Sequence, residues 1–173
     1  MATDPLRLRI LKALTTALGE IRPNDNAPDS TFSLEDSVFR GRVLFGTNDP
    51  LPMLSILEVP IPIDQRDPPG DSPSSHGTWE LIVQGFAPDD RDNPTDPAQH
   101  LMAQVKARLI EEREKRLKLR DPSDGILGMG NHVTDIRISP GVTRPPDELS
   151  AKAYFWLAIA LELVEDLSNP YED

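Results

Sequence analysis

Cysteine is absent from the 173 residues. That excludes disulfides and thiolate metal sites, and it implies no oxidising compartment. Positive charge is scarce: 18 Lys and Arg stand against 29 Asp and Glu, a formal net charge of −11 with a pI near 4.7. Such a balance argues against a protein that grips nucleic-acid phosphates, which normally shows a basic face. It does not exclude one that DNA passes without sticking, because a like-charged lining repels phosphates. Long apolar runs are missing too. The longest, Ala153 to Leu161, falls well short of the roughly 20 residues that cross a bilayer. Asp4, Arg7 and Arg9 interrupt any signal-peptide core at the start, so a soluble cytoplasmic protein with no membrane partner is expected.

What is present is proline, 18 residues of it. The prolines gather between periodic segments, at 60–73, 88–97 and 140–146, and mark extended loops. With 38% hydrophobic and 27% charged residues, the chain is lean but globular. Its length fits one domain over 1–173, with Pro-rich loops at 60–77 and 87–97.

Asp4-Pro5 is a helix start, a side-chain acceptor followed by a residue preset at helical φ. Leu6, Ile10, Leu14, Ala17, Leu18 and Ile21 then recur at three- and four-residue spacing, and Pro23 ends the stripe. Val38 to Phe45 and Leu51 to Val59 read as strands around the turn cluster Gly46-Thr47-Asn48-Asp49-Pro50, which predicts a hairpin. Pro52, unable to donate to a ladder, belongs at a strand start or edge. Ile61 to Gly77 reads as a long excursion, poor in apolar anchors and expected to order on assembly.

Trp79 to Phe86 is the next strand, with Trp79, Leu81 and Val83 on one face and Glu80, Ile82 and Gln84 on the other. Asp96-Pro97, with Gln99 to complete a capping box, starts a second helix whose buried stripe runs through Leu101, Met102, Val105, Leu109 and Ile110. Glu111, Glu112 and Glu114 precede Lys115, Arg116 and Lys118 by four residues, the favoured orientation for intrahelical pairs on a solvated face. His132 to Ser139 alternates as a strand and stops at Pro140-Gly141. The last segment, Ser150 to Asp166, fits two periods. Alternation aligns Ala151, Ala153, Phe155, Leu157, Ile159, Leu161 and Leu163; helical spacing aligns Leu149, Ala153, Trp156, Ala160, Leu163 and Leu167. Local propensity leans to helix.

Chemistry is sparse. His76, His100 and His132 are too scattered for a metal pair on one helix turn. The acidic loop Asp89, Asp90, Asp92 and Asp96 lacks a calcium loop's Gly and Glu: counted from Asp90, Thr95 and Leu101 fill those places. Gly125, Gly128 and Gly130 have no phosphate-loop Lys-Ser/Thr and read as a flexible connection. No catalytic, cofactor-binding or metal-binding residue is assigned, and no enzyme is expected.

In layout the chain resembles the tail terminators of long, non-contractile-tailed phages, the family of the lambda tail terminator. The stretches that carry the likeness are Pro5 to Ile21, Trp79 to Phe86, Pro97 to Arg113, Val133 to Gly141 and Ala153 to Val164. The resemblance implies an α+β subunit, a largely antiparallel mixed sheet of four to five strands packed by two helices, with 150–166 as a strand. It also implies a hexameric ring at the head-proximal end of the tail. That ring stops tube polymerisation, contacts tail tube protein and head–neck connector, and lets DNA through its lumen. Assembly in the host cytoplasm, a place in the virion neck and no cofactor follow from the same likeness. Rival readings are another neck or head-completion adaptor, or a small acidic ligand-binding domain or enzyme using His132 and Asp135 or the Asp89–Asp96 loop.

Overall fold

The computed structural model describes residues 4–46, 48–60, 74–118 and 124–171. It is an α+β fold: two helices lie on one face of a six-stranded, mostly antiparallel open sheet. The helices are α1 (Leu6–Gly19) and α2 (Asp96–Glu114). The strands are β1 (Val38–Arg40), β2 (Met53–Glu58), β3 (Ser74–Phe86), β4 (Val133–Ile138), β5 (Val142–Arg144) and β6 (Tyr154–Asp166). Their order is β1-β2-β3-β6-β4, with β5 continuing the β4 edge along the other half of β6.

The closing segment is a strand, so alternation decides there. Thirteen residues of β6 pair with all of β3 on one side and with β4 and β5 on the other. A segment hydrogen-bonded on both flanks satisfies its backbone without a helix, and tertiary pairing overrides local preference. Phe155, Leu157, Ile159, Leu161 and Leu163 face the helices and are buried. Leu6, Ile10, Leu14, Ala17 and Leu18 of α1 and Ala98, Leu101, Met102, Val105 and Leu109 of α2 meet them in one core. Ile110, expected in the stripe, points outward and is 44% exposed.

Several expectations need correction. The predicted hairpin is not formed: β1 and β2 run parallel, with Val38 opposite Leu54 and Arg40 opposite Ile56. The strand ends at Arg40 because Gly41 turns the chain at φ +64°, a left-handed conformation natural to glycine. Residues 43–45 therefore leave the ladder. Ser74 to Gly77, assigned to the Pro-rich loop 60–77, extend β3 instead, because β6 is long enough to pair with them from Asp166 back to Leu163. The rest of that excursion, 61–73, lies outside the described residues. The sixth strand is β5: Gly141, at φ +72°, swings the edge past Pro140 so that Val142–Arg144 rejoin β6.

Neither helix start has a side-chain cap. Asp4 pairs with Lys12 instead, and Gln99 donates its amide to Thr143 Oγ1 at 2.8 Å. The solvated-face reading of α2 also fails at Glu112, which is 2% exposed. Arg108 (2.8 Å) and Lys115 (2.6 Å) neutralise it, and the Leu127 amide donates to it at 3.3 Å. It thereby pins the glycine-rich turn beneath α2. Of the other expected four-residue pairs, Arg116 goes to Asp135 instead.

Candidate functional site

Asp135, His132, Asp89 and Asp90 are already engaged in structure. Arg113 reaches Asp135 with two hydrogen bonds of 2.7 and 3.1 Å, and Arg116 adds a third at 3.1 Å. The Arg113 hydrogen bond holds the Asp135 carboxyl below the usual carboxylate range. A carboxylate held ionised between two guanidiniums is a poor general base. His132 Nδ1 lies 3.1 Å from the Val164 carbonyl oxygen, joining the bulged start of β4 to β6. In the acidic loop, Asp89 pairs with Lys152 at 2.9 Å, and Asp90 accepts from the amides of Asp92 and Asn93. Asp96 opens α2. His76 is exposed on β3 and His100 on α2. The structure brings none of these into a common centre. Among the described residues, no three His, Asp or Glu side chains gather as a metal site.

What stands out is surface left uncovered by the described residues. Both helices pack on one face of the sheet, while the other carries Leu57, Ile82, Ala158, Trp156 and Val142 in adjacent cross-strand positions. Leu57 and Ile82 are half-buried, and Ala158, Trp156 and Val142 are exposed. A polar row follows toward the β6 C-terminus, where Arg137 pairs with Glu162 at 2.6 Å and Thr78 donates to the same carboxylate at 3.1 Å.

At the β6 N-terminal end, Met53, Phe86 and Tyr154 form a second small cluster with Phe39, Phe45 and Leu51. Its rings step across the face: Phe45 to Phe86 at 4.6 Å, Phe86 to Tyr154 at 6.2 Å, Tyr154 to Trp156 at 5.5 Å. Tyr154 donates to Asp147 at 2.8 Å. Burial pushes the tyrosine hydroxyl up, and that hydrogen bond holds Asp147 down. A groove of about 310 Å³ runs over this cluster, bordered by Val43, Leu44 and Leu149 at 67%, 83% and 74% exposure. These are large apolar side chains on rims, where a monomer gains nothing from them.

At the opposite end is a mainly apolar cavity of about 320 Å³, lined by Leu6, Leu167 and Pro170 among others. Its walls are tied by the Leu6 amide donating to the Pro170 carbonyl (2.9 Å) and by a bidentate Arg7–Glu165 pair. Arg7 also lies 5.1 Å over the Trp79 ring. Sequence reasoning missed both ends. The groove needs the parallel β1–β2 arrangement, and the cavity needs the chain end to return to α1. The signal in the sequence is the apolar run Val43-Leu44-Phe45, which by pattern reads as strand.

No protein-family model matches this chain, and a search of curated proteins finds no match. No helix among the described residues is long and apolar enough to cross a membrane.

Proposed function

We propose that this chain is a structural virion protein, the tail terminator of a long, non-contractile-tailed phage. It forms a hexameric ring at the head-proximal end of the tail tube, halts tube polymerisation and joins the tail to the neck connector. The observation that carries this reading is the uncovered surface. One sheet face and both ends of β6 keep large apolar side chains in solvent, while Asp135 and Asp89, the carboxylates a catalytic reading would use, are committed to ion pairs with Arg113, Arg116 and Lys152. Exposed apolar patches of this kind mark surfaces that other proteins cover. The layout of an opening helix, a mixed sheet and a helix across it supports the same reading. The net charge of −11 suits a lumen through which DNA slides.

Light scattering on the purified protein, alone and with tail tubes, tests the proposal. A hexamer, or a monomer that closes into a ring on tube ends, is expected. A monomer indifferent to tubes sinks it. A ring that binds connector but not tube transfers the protein to the neck-adaptor role.

A further inference from the structure

Among the described residues, left-handed backbone is densest in the turn between α2 and β4. Gly125 (φ +87°), Leu127 (+56°), Gly128 (+66°) and Gly130 (+54°) all adopt it. Glycine does so freely, but the β-carbon of Leu127 crowds the following carbonyl there. Strain of that kind persists only where the surroundings over-determine it, and it gathers at segments that switch. The turn's own backbone bonds are short-range: Gly128 donates to Gly125 at 3.2 Å, Met129 to Ile126 at 3.0 Å and Gly130 to Asp124 at 2.7 Å. What ties its backbone to α2 is the Leu127 amide, 3.3 Å from the Glu112 carboxylate. Ile126 and Leu127, 0% and 7% exposed, insert beneath α1 and α2.

Glu112 is a costly residue for such a place. It is 2% exposed, and a buried carboxylate must be compensated. Arg108 at 2.8 Å and Lys115 at 2.6 Å do so. An apolar side chain there would need neither cation, so filling the core does not account for the carboxylate. What an acceptor supplies at this position is a partner for the amide of the strained residue itself.

The turn is coupled in turn to the start of β4. His132 donates its amide to the Met129 carbonyl at 3.0 Å, and its ring Nδ1 lies 3.1 Å from the Val164 carbonyl oxygen. His132 also lines the apolar cavity beside Leu6 and Pro170. Release of the turn therefore loosens a wall of that cavity. Folded chains open in cooperative units smaller than the whole. We propose that Glu112 is a latch: its carboxylate holds residues 125–130 in a strained turn that opens as a local unit, freeing Ile126, Leu127 and His132 while the sheet stays folded. The device stands whether or not the chain forms a ring.

Native-state hydrogen exchange of the whole chain, followed by NMR across a low-urea series, tests the latch. In wild type the amides of Leu127, Gly128, Met129, Gly130 and His132 should exchange with a shallower urea dependence than those in the middle of β3 and β6, because a local opening exposes less surface. Glu112→Ala should speed exchange of the turn amides about tenfold to a hundredfold, the scale of one lost hydrogen bond to a charged group. The β3 and β6 cross-peaks should keep their positions in that variant. Turn amides that follow the same steep urea dependence as β6 in wild type would mean that the turn opens only with the whole fold, and the proposal fails. Turn protection unchanged in Glu112→Ala would also overturn it, since the carboxylate would then hold nothing. If Glu112→Ala does not fold, the wild-type urea dependence decides alone.

Discussion

Along β6, Phe155, Leu157, Ile159, Leu161 and Leu163 are at most 3% exposed, whereas Trp156 and Ala158, alternating with them, stand open to solvent. One strand therefore serves two surfaces. Its helix-facing side chains are packed as an interior; those on the other face keep their apolar area in reserve. The contrast is sharpest at Gly85, where an added Cβ would lie 2.1 Å from Phe155 Cε1 and 2.9 Å from Leu54 Cδ2. There is no slack on the covered side. In the groove at the N-terminal end of β6, about 310 Å³ is left open beside Phe45 and Leu149.

The largest expected effect breaks the covered side. Leu161 is fully buried between the helices and the sheet, and Leu161→Ala should cost about 2–5 kcal/mol, lost transfer energy plus a residual cavity. Urea denaturation with an unchanged m-value checks it. Next is Gly85→Ala, which must displace the buried Phe155 ring and should cost about 1–3 kcal/mol as overpacking. An unmoved denaturation midpoint would show that the ring has room to shift.

These two positions differ in how legible they were. Alternation of residues 151–163 offers Leu161 an inward face, but helical spacing fits the segment too and leaves Leu161 out, so the sequence alone places it only once the segment is known to be a strand. Gly85 could not be read so, because its constraint comes from Phe155 and Leu54 on the two strands that flank it. The same division runs through the whole fold. The opening helix, β3, β4 and the stripe of α2 follow from local periodicity. The parallel β1–β2 pair does not, because an apolar run such as Val43-Leu44-Phe45 looks the same in a ladder as on a projecting turn. Glu112 looked solvated for a similar reason: its burial depends on the Leu127 turn, fifteen residues away. The candidate surfaces were the least legible, since they join segments from opposite ends of the chain.

A smaller effect concerns the edge that holds α2 against the sheet. Asp135 accepts from Arg113 and Arg116, and its folded-state pKa is lowered, first by the Arg113 hydrogen bond. A carboxyl with a depressed folded pKa contributes stability that is complete above its unfolded value, about 3.9, and is lost as pH falls through the folded value. Wild type should therefore be more stable than Arg113→Leu at pH 7. That advantage should fade below about pH 4. A stability difference that stayed constant into acid would assign the loss to packing of the arginine stem instead.

The smallest expected effect on the monomer falls on the open face. Trp156 is 39% exposed, with the Tyr154 ring 5.5 Å away as its aromatic neighbour. Trp156→Ala removes little buried area and should shift stability by about 1 kcal/mol or less, well under the cost at Leu161. If the open face is reserved for neighbours, the same substitution should reduce the assembled mass seen by light scattering, because truncated interface aromatics cost most in the complex. The two readouts separate the possibilities. A stability loss matching Leu161→Ala would mean that Trp156 already works as core in the isolated chain, and the contrast between the faces would collapse. Unchanged stability with unchanged assembly would leave the open face outside the contacts and confine them to the two ends of β6. Unchanged stability with lost assembly is what a strand serving one interior and one interface should show.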